Sequence, residues 1–337
     1  MNRKYIRLKN CIEHSESHQE RMDAIRQVSE LAENDLDCLI YKGYIQEMGL
    51  GHFPHSRKAF ATYVKAAMLS PRDDVLCNLG LCFERFSSNA HAVKCYQVGY
   101  KNGHVRSTYN LARLQYDSDS EALNKINWCF LQGDYQAGEF LASYEIKGQA
   151  EQATIFEKLY EEFGHADALH RLGYFVKEGY QYKRYTSQDC IEIASKKGSR
   201  NAHFSLAKGI LSGKFEGDSR HALNCLRDCS FFNMPGAHYL LGYHLWHGAN
   251  TEQDKGLGAK HLLFGGELGC KEASQVLVAI YEQDEVKNAL LKYSKVFFQE
   301  RAFSTTDTDL ILRILAKFNP ELADFDALLE RILHKEQ

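Results

Sequence analysis

Apolar and small residues recur along this chain at the spacing of a helix face, and no stretch shows the alternation of a strand. Residues 36–70 show the unit most clearly. A first helix carries Gly43 and ends at Gly49 and Gly51, where the chain can turn with positive φ. A second begins after Pro54 and places Ala59, Tyr63, Ala66 and Ala67 on one stripe. Small residues let two helices approach closely, and the aromatic four positions on fills the space beside them. The layout returns with Leu79, Gly80, Phe83, Ala92 and Tyr96; with Leu111, Ala112, Ala122 and Trp128; and with Leu141, Ala142, Ala153 and Phe156. It continues through Leu172 and Gly173 with Ser187, Leu206 and Ala207 with Ala222, Leu241 and Gly242 with Ala259, and Leu277, Val278 and Tyr281 with Ala289.

One spacing in this pattern is nearly fixed. Ala59 to Gly80, Ala92 to Ala112, Ala122 to Ala142, Ala153 to Gly173, Ser187 to Ala207, Ala222 to Gly242 and Ala259 to Val278 are each 19 to 21 positions apart. The intervening connections vary from 10 to 17, so the full period is 30 to 37 residues, the range of helical hairpin arrays. An inserted residue would rotate a packed helix contact by about 100°, whereas a loop at an exposed edge lengthens cheaply. The expected fold is therefore all-α, a right-handed α/α superhelical solenoid of about eight helix-turn-helix repeats with terminal capping helices. Residues 1–32 form an N-terminal half repeat in this reading, 33–300 the array, and 301–337 C-terminal caps with helices near Asp307–Phe318 and Pro320–His334.

Composition narrows the function. The 337 residues carry a net charge of −3, too little for a global field to draw the chain onto nucleic acid or anionic lipid. No window approaches the eighteen apolar residues of a membrane span, and Met1–Asn10 lacks the apolar core of a secretory signal. Ten cysteines without an export signal fit reduced thiols and a cytoplasmic location.

The positions Gly43, Gly49, Gly51, Lys58, Ala59, Tyr63, Lys65, Ala66 and Ala67 resemble the motif of the Sel-one-like repeat (SLR) family, a relative of the tetratricopeptide repeat, with weaker matches over residues 24 to 300. The resemblance implies a non-catalytic adaptor that holds other proteins. One branch of the family staples each helix pair with cysteines, but Ala67 and Leu76 occupy those positions here, so stability must come from packing.

In tetratricopeptide-like packing the first helices line a concave groove, and the projected groove residues are Tyr44, Glu47, Tyr109, Arg113, Tyr116, His170, Tyr174, Lys177, Phe204, Lys208, Tyr239, Tyr243 and Trp246. Tyrosine, tryptophan and arginine supply much of the contact energy at interfaces. The expected partner is a protein or peptide carrying acidic groups or a free carboxylate. The alternative is a single-stranded nucleic acid, its bases on Tyr109, Tyr174 and Tyr243 and its phosphates on Arg113, Lys177 and Lys208; Glu47, Glu84, Glu139 and Glu282 on the same face oppose it. A third alternative is self-association through an incompletely capped end. No Gly-rich phosphate loop follows a strand and no catalytic triad can be spaced out, so no enzyme and no cofactor are expected. Cys11, His14 and His18 would share a face of one helix, but without a fourth ligand they read as a polar face and no metal is assigned.

Overall fold

The computed structural model describes residues 3–146, 148–280 and 282–301, without the side chains of residues 290 and 294–301. Eighteen α-helices succeed one another through these residues, with one short π-turn and no strand among the described residues. They pair in chain order as antiparallel hairpins and form two compact units, one of residues 3–49 and 54–132, the other of residues 50–53 and 133–297.

The first unit holds α1 (Arg3–His14) and α2 (His18–Leu31), α3 (Leu36–Met48) and α4 (Ser56–Leu69), α5 (Asp73–Arg85) and α6 (Asn89–Lys101), and α7 (Val105–Leu114) and α8 (Ala122–Leu131). Side-chain caps fix several starts: the Cys38 N–H donates to Asp35 at 2.8 Å, and the Glu20 N–H donates to Ser17 at 3.3 Å. Gly49 ends α3 with φ 65°, a left-handed conformation that costs a glycine no Cβ clash.

Glycines on the first helices seat tyrosines of the second. A Cβ added at Gly43 would lie 2.6 Å from the Tyr63 ring, and one at Gly80 would lie 2.5 Å from the Tyr96 ring. These glycines thus close the hairpin itself, rather than the contact between one hairpin and the next. Each tyrosine, fully buried, ends on a carboxylate four positions after the glycine: Tyr63 donates to Glu47 at 2.8 Å and Tyr96 to Glu84 at 2.6 Å. Each carboxylate then accepts an arginine from the following hairpin, Arg85 on Glu47 at 2.9 Å and Arg113 on Glu84 at 2.6 Å. Burial and the neighbouring carboxylate hold both phenols well above the usual tyrosine range, so they remain donors. A glycine, tyrosine, glutamate, arginine relay therefore ties α3/α4 to α5 and α5/α6 to α7. Between α4 and α5, Phe60 packs edge-on against Phe83 and Phe86, each at 5.4 Å.

The second unit begins with α9 (Tyr135–Phe140), which runs into the π-turn Leu141–Glu145 and pairs with α10 (Gln149–Glu161). Next come α11 (Ala166–Lys177) and α12 (Ser187–Lys196), α13 (Arg200–Leu211) and α14 (Ser219–Phe231), α15 (Pro235–His247) and α16 (Lys255–Glu267), and α17 (Lys271–Ile280) and α18 (Asp284–Arg301). A full capping box opens α12, with Thr186 and Asp189 each accepting the other's backbone N–H. At α15/α16 two glycines face one another: a Cβ at Gly242 would meet the Leu262 N at 2.9 Å and one at Gly258 the Trp246 N at 2.9 Å, so the two backbones themselves are in contact. The adjoining core contains Phe53, Trp246, Ala259, Leu263, Phe264, Val286 and Ala289. Segment Leu50–Phe53 belongs to this unit through main-chain bonds as well as packing: the Gly51 N–H donates to the Phe231 carbonyl at 3.0 Å and the Asn233 amide to the His52 carbonyl at 2.8 Å.

Two expectations are revised, and a third falls outside the described residues. Within the segment expected to be a half repeat, residues 3–31 hold a helix pair, α1 and α2, because residues 3–14 supply Leu8 and Ile12 to the core. Cys11, His14 and His18 do not share one helix, since α1 ends at His14 and Ser17 caps a new helix at His18. The helices expected near Asp307–Phe318 and Pro320–His334, and the marker Tyr281, lie outside the described residues. All ten cysteines are free and nine are buried. Burial raises the Cys38 thiol to about 12 and those of Cys190 and Cys225 to about 11, which keeps them protonated small apolar groups.

Candidate partner-binding face

In the first unit the projected groove residues are already engaged. Tyr44 stacks on Tyr41 at 5.7 Å. Tyr109 is 7% exposed, Tyr116 is half-buried and Glu47 is buried. Arg113 gives two hydrogen bonds to Glu84, at 2.6 and 2.8 Å, which makes it a clamp between hairpins instead of a free cation. The open hollow of about 380 Å³ lined by Arg72, Asp73, Asp74, Asn102 and His104 is rimmed by groups that satisfy one another. Arg72 reaches Asp74 and Asp37, each at 2.7 Å, and the Asn102 amide donates to Asp73 at 2.9 Å.

The second unit differs. Helix α11 exposes Tyr174 by 45% and α15 exposes Tyr243 by 39%. Lys177 on α11 and Lys208 on α13 are exposed, and neither forms an ion pair among the described residues. Tyr239 lies 6.3 Å from Tyr243 and half-buried, and His247 packs 4.5 Å from the Tyr243 ring. Phe204 is half-buried on α13. Two projected residues face inward. Trp246, 5% exposed, fills the core beside Ala259 and Leu263, so it is unavailable to a partner. His170 is buried, its Nε2 2.8 Å from the Ser205 hydroxyl, which is also 3.1 Å from the Tyr174 hydroxyl. Burial lowers His170 to about 4, so at neutral pH a neutral imidazole orients Ser205 and through it Tyr174.

The sequence pattern missed a neighbouring feature. A recess of about 170 Å³ is lined by Ala142, Ser143, Gln152, Phe156, Arg171, Tyr174 and Phe175. Its aromatic lining pairs Phe156 with Phe175 at 5.9 Å, and the Arg171 guanidinium stands 5.8 Å over the Phe156 ring. Ser143 and Ala142 reach the recess because the chain there forms a π-turn, whose end is held by the Gln152 amide donating to the Ile146 carbonyl at 2.6 Å. Such one-turn π segments occur disproportionately at functional sites.

These features define a helical-hairpin repeat protein with an aromatic and basic first-helix face on its second unit. No family model matches the chain and no curated protein matches it. Among solved structures, it is similar to a Sel1 repeat protein from Oxalobacter formigenes, at 18% identity over 82% of this chain and 85% of that one, with a TM-score of 0.47. It is also similar to a protective antigen present in uropathogenic Escherichia coli strains displaying an SLR fold, at 16% identity over 95% of this chain and 69% of that one, with a TM-score of 0.44. Among the described residues no helix is long and apolar enough to cross a membrane, and no group of three potential ligands comes together for a metal.

Proposed function

We propose that the protein is a non-catalytic interaction scaffold whose second unit binds a peptide segment carrying acidic groups. The observation that carries this reading is the exposure, on first helices of one unit, of Lys177 and Tyr174 on α11, Lys208 on α13 and Tyr243 on α15, with Lys177 in no ion pair among the described residues and Lys208 attracted to Glu272 without a close ion pair. Arg171 and Lys183 are placed against carboxylates, Glu139 at 3.0 Å and Glu161 at 2.7 Å, whereas Lys197, Lys255 and Lys260 lie over aromatic rings. Exposed lysines and amphipathic rings on one set of helices suit a partner that brings its own carboxylates, and such charges chiefly set association rate and specificity. Ten free thiols fit a reducing compartment such as the cytoplasm.

The test is selection of displayed random peptides on the immobilised full chain, in parallel with Lys177→Glu combined with Lys208→Glu. The expected outcome is enrichment of acidic peptides on the wild type and loss of that enrichment on the variant. Basic or charge-neutral winners, or the same winners on both, contradict the reading. A single-stranded oligonucleotide serves as the control, and its retention in preference to any peptide would favour nucleic acid.

A further inference from the structure

Within the second unit, the recess bordered by the π-turn has three properties together: an aromatic lining, a cationic rim and a small volume. We infer that it is an anchor pocket for one leucine- or phenylalanine-sized side chain of the acidic peptide, with the carboxylate of a neighbouring peptide residue received by Arg171 and the Tyr174 hydroxyl. This inference rests on the peptide-binding reading above.

Size is the first argument. A hollow of about 170 Å³ lies below the roughly 300 to 1,000 Å³ of small-molecule and cofactor sites and suits a single side chain. Its lining is the second. Phe175 offers apolar surface, backed by the buried Phe156 and Ala142, whereas Ser143, Gln152, Arg171 and Tyr174 supply polar groups. The Gln152 amide is already spent on Ile146, which leaves Ser143, Arg171 and Tyr174 as groups that can donate to a ligand, and of these Arg171 alone is charged.

Charge is the third argument. Arg171 gives its Nη2 to Glu139 at 3.0 Å, and both side chains are about 40% exposed, so the pair is a weak surface one that an incoming carboxylate can share. A guanidinium has five N–H donors, enough to serve both. Tyr174 is held in place from behind by Ser205 and His170, so its orientation does not depend on the ligand. Lys177, exposed three positions after Tyr174 on α11, adds a further positive charge on the same helix. An apolar residue flanked by carboxylates matches this order of chemistry, and a basic or purely polar segment does not. The neighbouring Tyr144, 73% exposed and stacked at 4.7 Å on Phe140, gives the peptide a further ring to lie against.

The test uses the full chain and four fluorescein-labelled nine-residue peptides, made of alternating aspartate and glutamate with alanine, leucine, phenylalanine or lysine at the centre. Fluorescence anisotropy reads the dissociation constants. Leucine and phenylalanine are expected to bind at least about tenfold tighter than alanine, as burial of one such side chain implies, and lysine no better than alanine. Ser143→Trp, at an exposed position on the recess wall, should abolish the preference for leucine while leaving the alanine peptide's affinity unchanged. Lys177→Glu combined with Lys208→Glu should weaken all four peptides together. Arg171→Gln should weaken all four peptides, keep the leucine preference and leave the melting temperature within a degree or two, which separates a binding role from a structural one. Equal affinities for all four peptides, or a leucine preference that survives Ser143→Trp, overturn the pocket and leave the charged face standing. Absence of binding by every peptide overturns both.

Discussion

An alanine at Gly80 should destabilise the protein, against the ordinary effect of that change. In a helix interior, glycine to alanine gains about 1 kcal/mol, because alanine loses less backbone entropy on folding. Gly80 lies inside α5 with an unremarkable helical backbone, so propensity alone predicts stabilisation. Packing reverses the sign. The new Cβ would stand 2.5, 2.8 and 3.0 Å from three carbons of the Tyr96 ring, and Tyr96 is fully buried. Forcing a methyl into such a contact costs about 1 to 3 kcal/mol. A displaced ring also draws its hydroxyl away from Glu84, and a hydrogen bond to a charged group contributes about 1.5 to 3 kcal/mol. The net expectation is a loss of about 2 to 4 kcal/mol, read as a lower urea midpoint and melting temperature. Adding Tyr96→Leu removes the obstructing ring, so the double variant should be more stable than the sum of the single changes by over about 1 kcal/mol. Gly80→Ala more stable than wild type, or strict additivity with Tyr96→Leu, would refute the reasoning.

Three further predictions test other parts of the structure. Burial lowers His170 and His238 to about 4, so the unfolded chain binds more protons than the folded one between about pH 4 and the free-imidazole value, and stability must fall as pH is lowered through that window. At pH 5 the loss should be roughly 2 kcal/mol for each histidine relative to pH 7.5, seen as a falling urea midpoint that is shallower in His238→Gln; His238 faces His261 at 2.9 Å, with Lys260 and Arg227 adding positive charge around the pair. Titration of the native protein with a thiol reagent should modify Cys11 rapidly and the nine buried cysteines only on unfolding; several fast thiols would contradict the packing. Trp246→Ala should cost about 3 to 5 kcal/mol by emptying the core around Ala259 and Leu263, and a near-neutral effect would return Trp246 to the surface.

The repeat was legible because its determinants are local: a small residue, an aromatic at helical spacing and a turn glycine recur within each hairpin. Which face of each first helix looks outward was less legible. Tyr109 and Arg113 are four positions apart on one turn of α7, yet the first is buried and the second reaches back to Glu84 on α5, a partner set by stacking and not by neighbours in sequence. Trp246 goes inward because Gly258 brings the α16 backbone against it, and only the pairing of α15 with α16 reveals that approach. The recess escaped notice for a related reason. A π-turn inserts a residue into the helical ladder and rotates the side chains beyond it, so three- and four-residue spacing does not locate Ser143 and Tyr144. The role of Leu50–Phe53 in the second unit joins residues some 180 positions apart, beyond the reach of any local pattern.

Hydrogen–deuterium exchange on the full chain, with and without a saturating acidic peptide carrying a central leucine, tests the central claim most directly. Added protection should fall on the π-turn and on the first helices α11, α13 and α15, and the second helices α12 and α14 should exchange as before. Protection confined to the second helices, to the ends of the array or to the first unit would contradict the assignment of the partner-binding face.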